Sequence, residues 1–111
     1  MFASLFGSKS KERVLIYLST HETGYAREIA RFFGTGVSPI QKQLDALEQH
    51  SILYSEAQGR TVLYHLNPRY PLIQELRALL EKALAFYPAE ERDRLVMDRR
   101  RPRRKHKPLS L

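Results

Sequence analysis

The chain contains no cysteine. That absence excludes disulfides, thiolate metal sites and cysteine nucleophiles together, and it fits a reducing compartment. No apolar run approaches the length of a membrane span. The opening "MFASLFGSKSK" has no basic segment ahead of an apolar core, so it does not read as a secretory signal. The motifs of common catalysts are also missing. "GTGVSP" begins like G-x-G-x-x-G but places Pro39 where the last glycine belongs, and it follows a helical pattern rather than a strand. There is no P-loop, no G-x-S-x-G and no pair of acids in an apolar setting; Glu90 and Glu91 lie in a polar run. The four histidines, His21, His50, His65 and His106, show no ligand spacing. The expectation is a protein that is not an enzyme and holds no metal or cofactor.

What is present is an ordinary globular composition, 42% apolar and 10% aromatic over 111 residues, enough for one domain with a core. The formal charge is +7. Its location matters more than its size. The run "RRRPRRKHK" at 99–107 holds seven of the 19 Lys and Arg residues and no acid, so the rest of the chain balances 12 cations against 12 acids. Any attraction of the folded body for phosphate must therefore come from local placement.

Hydrophobic spacing predicts a helix over 9–21, with Ser8 as its cap and Val14, Leu15 and Leu18 on one face. "HETGY" breaks it, with Gly24 as the turn residue. A short helix over 26–33 follows, carrying Ile29, Phe32 and Phe33 on one side and Arg27 and Arg31 on another. Gly34 suits the left-handed position past its end. In "VSPIQKQLDALEQ", Ser38 reads as an N-cap, Pro39 as the first helical residue and Gln41 as the partner in a capping box. Val37, Ile40, Leu44 and Leu47 fall on one face; Lys42 lies near the middle of the other.

After "HS" the period changes. "ILYSEAQ" and "TVLYHL", joined through "GR", predict a β-hairpin. "NPRYP" closes it, and a long helix is expected over 71–87, with Pro71 at its start and a broad apolar stripe. "PAEERDRLVMD" reads as a last short helix in a polar extension, 88–111, that ends in the basic tail. The division expected is a first unit over 5–70, the long helix over 71–87 and that extension.

Two short amphipathic helices in close succession, then a hairpin, are the sequence form of a helix-turn-helix with a wing. On "YAREIARFFG", "VSPIQKQLDALEQHSIL" and "GRTVLYHLNP" the chain resembles the winged helix-turn-helix transcriptional regulators of the ArsR and MarR-like families. The matching pieces are Glu28-Ile29-Ala30, then Ser38 through Leu44, Leu47 and Glu48, then Ile52-Leu53, within a likeness spanning 5–84. Two departures stand out. ArsR-type metal sensors carry cysteine or clustered histidine and acid ligands, so metal sensing does not carry over. Where such families have glycine after the second helix, this chain has "QHSIL", so His50 or Ser51 must take the turn.

The resemblance implies a mainly α fold with a small β-wing (α+β) and a C-terminal dimerisation helix. It implies a cytoplasmic, homodimeric regulator of transcription, often a repressor, associated with the nucleoid when bound to double-stranded DNA; any small-molecule effector is left open. The second motif helix would enter the major groove. Gln41 would pair bidentately with adenine, Lys42 would reach a guanine edge or a phosphate, and Pro39 would meet a thymine methyl. Ser38 and the helix N-terminus suit a phosphate oxygen. Asp45 either reads cytosine or sits beyond the DNA. Arg60, helped by Thr61, would hold the minor groove or backbone from the wing tip, and Arg27 and Arg31 the backbone. Leu72, Ile73, Leu76, Leu79, Leu80, Ala83 and Leu84 would form the dimer seam. Two rival readings remain: a winged protein-interaction module, favoured by the neutral body, and RNA binding through the tail.

Overall fold

A computed structural model describes residues 1–106, with the helical backbone alone over 98–106. The element order is α1 (Ala3–Phe6), α2 (Lys9–His21), β1 (Thr23–Tyr25), α3 (Ala26–Phe33), α4 (Val37–Gln49), β2 (Leu53–Gln58), β3 (Thr61–Leu66), α5 (Ile73–Ala85) and α6 (Ala89–His106). No helix among the described residues is long and apolar enough to cross a membrane.

Helix α2 is the spine. Ser8 caps it as expected, its Oγ accepting from the Lys11 amide at 3.0 Å. Its Val14, Ile16 and Leu18 are wholly buried, together with Ile29 from α3, Ile40 and Leu44 from α4, Leu80 from α5 and Leu95 from α6. These side chains form one core, so α5 and α6 are built onto the winged unit instead of trailing from it. The extension expected to be polar supplies Leu95 to that core. In addition, Arg94 of α6 donates to the Phe32 carbonyl and its guanidinium lies 4.0 Å from the Phe32 ring centroid. Helix α6 continues through residue 106, into the basic run. The side chains of 99–106 and all of Lys107 lie outside the described residues.

The sheet has three antiparallel strands in the order β1-β3-β2. The hairpin is the expected one: Gln58 pairs with Thr61 across a two-residue loop, and Gly59 takes φ 63°. Strand β1 was not expected. Gly24 lies in it, opposite Tyr64, instead of in a turn. The reason is space: a Cβ at Gly24 would stand 3.0 Å from the Tyr17 ring and 3.2 Å from Ile29. The chain reverses two residues earlier, at Glu22, whose φ is 74°. The turn after α4 falls to Ser51, at φ 66°; the Ile52 amide closes it on the Leu47 carbonyl.

Two helix starts also differ from expectation. Helix α4 begins at Val37 with Gly36 as its cap, so Ser38 does not cap it and the Ser38–Gln41 box does not form. Pro39 is then the third helical residue. That is still within the first turn, where its missing N–H costs nothing. Helix α5 begins at Ile73, two residues past Pro71, and ends at Ala85.

The leucine stripe of α5 divides. Ile73, Leu80 and Ala83 are buried in the chain's own core, which removes them from the expected seam. Leu76 and Leu84 are half-buried against that core. Leu72 and Leu79 are exposed, at 56% and 40%.

Candidate nucleic-acid interface

Helix α4 buries Ile40, Leu44 and Leu47 and turns Val37, Ser38, Pro39, Lys42, Asp45 and Gln49 outward. The helix before it is held by its own cap: Glu28 Oε1 accepts from the Tyr25 amide at 3.2 Å. Gly34 ends that helix at φ 64°, and its amide returns to the Arg31 carbonyl. The short link to Gly36 then sets α4 against α3 and α2.

Between α4, the start of α3 and the wing lies an open cleft of about 360 Å³. Arg27 enters it from α3, Gln41 from α4, and Arg60 and Thr61 from the hairpin; Tyr25, Ala26, Val37, Val62 and Tyr64 complete the lining. Four of the eight residues expected to contact DNA therefore meet in one place. Ser38, Pro39, Lys42 and Arg31 are exposed but lie outside this cleft. No ion pair among the described residues includes Arg27, Arg31, Lys42 or Arg60. Their charges are thus available to an anion. Thr61 is less available, since its hydroxyl donates to the Gln58 carbonyl at 2.8 Å and helps close the hairpin.

Gln41 differs most from expectation. Its Nε2 donates to Asp45 Oδ1 at 2.9 Å and to the Tyr64 hydroxyl at 3.1 Å. Both amide protons are engaged, so the two-point amide–adenine contact is not open in this arrangement. The acids that fit a DNA-facing helix least well are both occupied. Asp45 holds Gln41, and Glu48 Oε2 accepts from the Ser55 hydroxyl on β2 at 2.5 Å. Tyr64 is the residue that sequence reasoning missed. Burial raises its phenol above the ordinary value; the Gln41 hydrogen bond opposes this, and the nearby charges of Asp45 and Glu48 add to it. It therefore stays a neutral hydroxyl linking wing to helix. Period-2 spacing in "TVLYHL" marks Tyr64 only as an inward residue, and nothing in the sequence marks Gln41 as its partner.

Glu12, 2% exposed, accepts from the Phe2 amide at 2.9 Å and from the Tyr87 hydroxyl. Among the described residues no group of histidines and acids could hold a metal ion.

No protein-family model matches the chain, and no curated protein matches it. Several solved structures do. Reduced HlyU from Vibrio cholerae is similar at 16% identity with a TM-score of 0.61, covering 78% of this chain and 84% of that one. MepR, a transcription regulator of the Staphylococcus aureus multidrug efflux pump MepA, is similar at 14% identity and TM-score 0.56, covering 87% and 78%. The YusO protein from Bacillus subtilis is similar at 22% identity and TM-score 0.54, covering 79% and 69%. At such identities the likeness establishes the fold, a winged helix-turn-helix of the α+β class.

Proposed function

We propose that this chain is a sequence-specific, double-stranded DNA-binding regulator of transcription that acts as a homodimer, most simply as a repressor occupying promoter DNA. One observation carries the reading. Arg27, Gln41, Arg60 and Thr61, from three separate elements, converge on one cleft beside the exposed face of α4, and the arginines there have no acidic partner among the described residues. A helix with that outward face fits the major groove, about 12 Å wide. Arg60 at the wing tip then reaches the backbone or the minor groove, while Arg27 and Arg31 hold phosphates. Ser38 stands in the first turn of the helix and Lys42 in the second, within the N-terminal part where base edges and phosphates are met in this class of motif. The fold it shares with a known transcription regulator agrees with this.

Leu72 and Leu79, flanked by the half-buried Leu76 and Leu84, form the apolar face on which a second copy would pack. A two-fold dimer would set two α4 helices on successive major grooves, about one helical turn apart. Nothing in this scheme requires a cofactor or a reaction step, and the protein works in the cytoplasm with its DNA. Selection of bound duplexes from a random pool at near-physiological salt tests it. The expected result is a near-palindromic motif with half-sites one turn apart. Binding without an enriched motif would favour the protein-interaction module instead.

A further inference from the structure

Asp45 stands on the open face of α4, where a carboxylate repels phosphate. Yet its Oδ1 is engaged, accepting from Gln41 Nε2 one turn earlier, and the second proton of that Nε2 goes to Tyr64. A carboxylate only accepts, so Asp45 decides which end of the amide faces it; the opposite flip would set two oxygens against each other. What remains is Gln41 Oε1. No donor among the described residues reaches it, and it is not a buried atom, so it faces solvent.

We propose that Asp45 and Tyr64 make Gln41 an acceptor-only reader of base edges. In the DNA complex its Oε1 takes a hydrogen bond from an exocyclic amine, adenine N6 or cytosine N4, and rejects guanine and thymine. This rests on the DNA-binding reading above. In the major groove adenine and cytosine present that amine, whereas guanine and thymine present a carbonyl oxygen. Two acceptors facing each other leave both unsatisfied once water is expelled. The Asp45 charge behind the amide adds to the rejection of a keto edge. Asp45 is thus a positioning residue. It acts through Gln41 and touches no base, which gives an acid on this face a purpose.

The test is selection from a random duplex pool with three full-length proteins: the natural chain, Gln41→Ala and Asp45→Ala. Circular dichroism melting checks that each is folded. The natural chain is expected to enrich a motif in which one position per half-site admits only adenine or cytosine on one strand, about tenfold over the other bases. Gln41→Ala opens that position to all four bases. Asp45→Ala releases the amide, so guanine and thymine enter there while the change stays confined to that position. Three results overturn the inference but leave DNA binding intact: an unmoved restriction in Asp45→Ala, a guanine or thymine preference at the Gln41-dependent position, or no change anywhere in Gln41→Ala. No enriched motif from the natural chain overturns both.

Discussion

Helices α4 and α5 are each 13 residues long, and each buries three apolar side chains. They differ in what they leave outside. On α4 the outward residues include Ser38, Lys42 and Asp45, with Gln41 at the border; on α5 and its cap they include Leu79 and Leu72. Equal anchoring thus supports opposite surfaces. One offers hydrogen-bonding groups and unpaired positive charge, suited to a polyanion that is itself hydrated. The other offers apolar area, suited only to a second apolar face. An amphipathic pattern tells how a helix is held; the chemistry of its remaining side tells what it meets.

The sharpest way to break this contrast sets the buried Leu80 against the exposed Leu72 and Leu79. Leu80→Ala is expected to cost about 2–5 kcal/mol in denaturant unfolding, because Leu80 is fully buried and a cavity would remain. Leu72→Asp combined with Leu79→Asp should leave each protomer folded and yield monomers in light scattering. A dimer that survives both changes would move the interface elsewhere. How firmly α5 is seated can be read from Tyr87, which follows it and donates to the buried Glu12. Tyr87→Phe should lower stability by about 1–3 kcal/mol, since a buried carboxylate loses a donor. The Tyr87 phenol is raised, first by burial and then by Glu12. A raised phenol contributes stability that is full below the ordinary tyrosine value of about 10 and is lost as pH rises beyond it. The Phe variant should show less of that alkaline loss in unfolding measured against pH.

On α4, Gln41→Ala with Lys42→Ala should remove about 1–3 kcal/mol of discrimination per contacted base pair while the melting temperature holds. A selected motif that does not change would exclude α4 as the reading helix. The smallest effect is expected at the wing. Arg60→Ala should lower the slope of log affinity against log salt by about 1 and leave the preferred sequence alone. An unaltered slope would leave Arg60 as a solubilising charge.

The order of helices and the hairpin were legible because each carries a sustained period of 3.6 or 2. What escaped was short or sparse. Strand β1 has three residues, and its Gly24 signals a turn in sequence while in space it makes room for Tyr17. Leu95 belongs to a single apolar run, Leu95-Val96-Met97, set between charged stretches and too short to show a period, so α6 read as an appendage. Pro39 could not fix the start of α4, because any position in a first turn accepts proline. The candidate site was half legible. Residue types pointed to Arg27, Gln41 and Arg60, but the orientation of the Gln41 amide depends on Tyr64, 23 positions away. The leucine stripe could not be sorted by sequence into core and surface, since periodicity gives a direction and not a depth.

The link from Gln41 to Tyr64 has a kinetic meaning as well. It joins α4 to β3, the middle strand of the sheet, before any ligand arrives, so in the DNA complex proposed above the two elements need not find each other. The entropy of ordering them is lost once, when the chain folds, and not again at each encounter. Less of the contact free energy is then spent on immobilisation, and an encounter complex can lock in without first assembling its own binding surface.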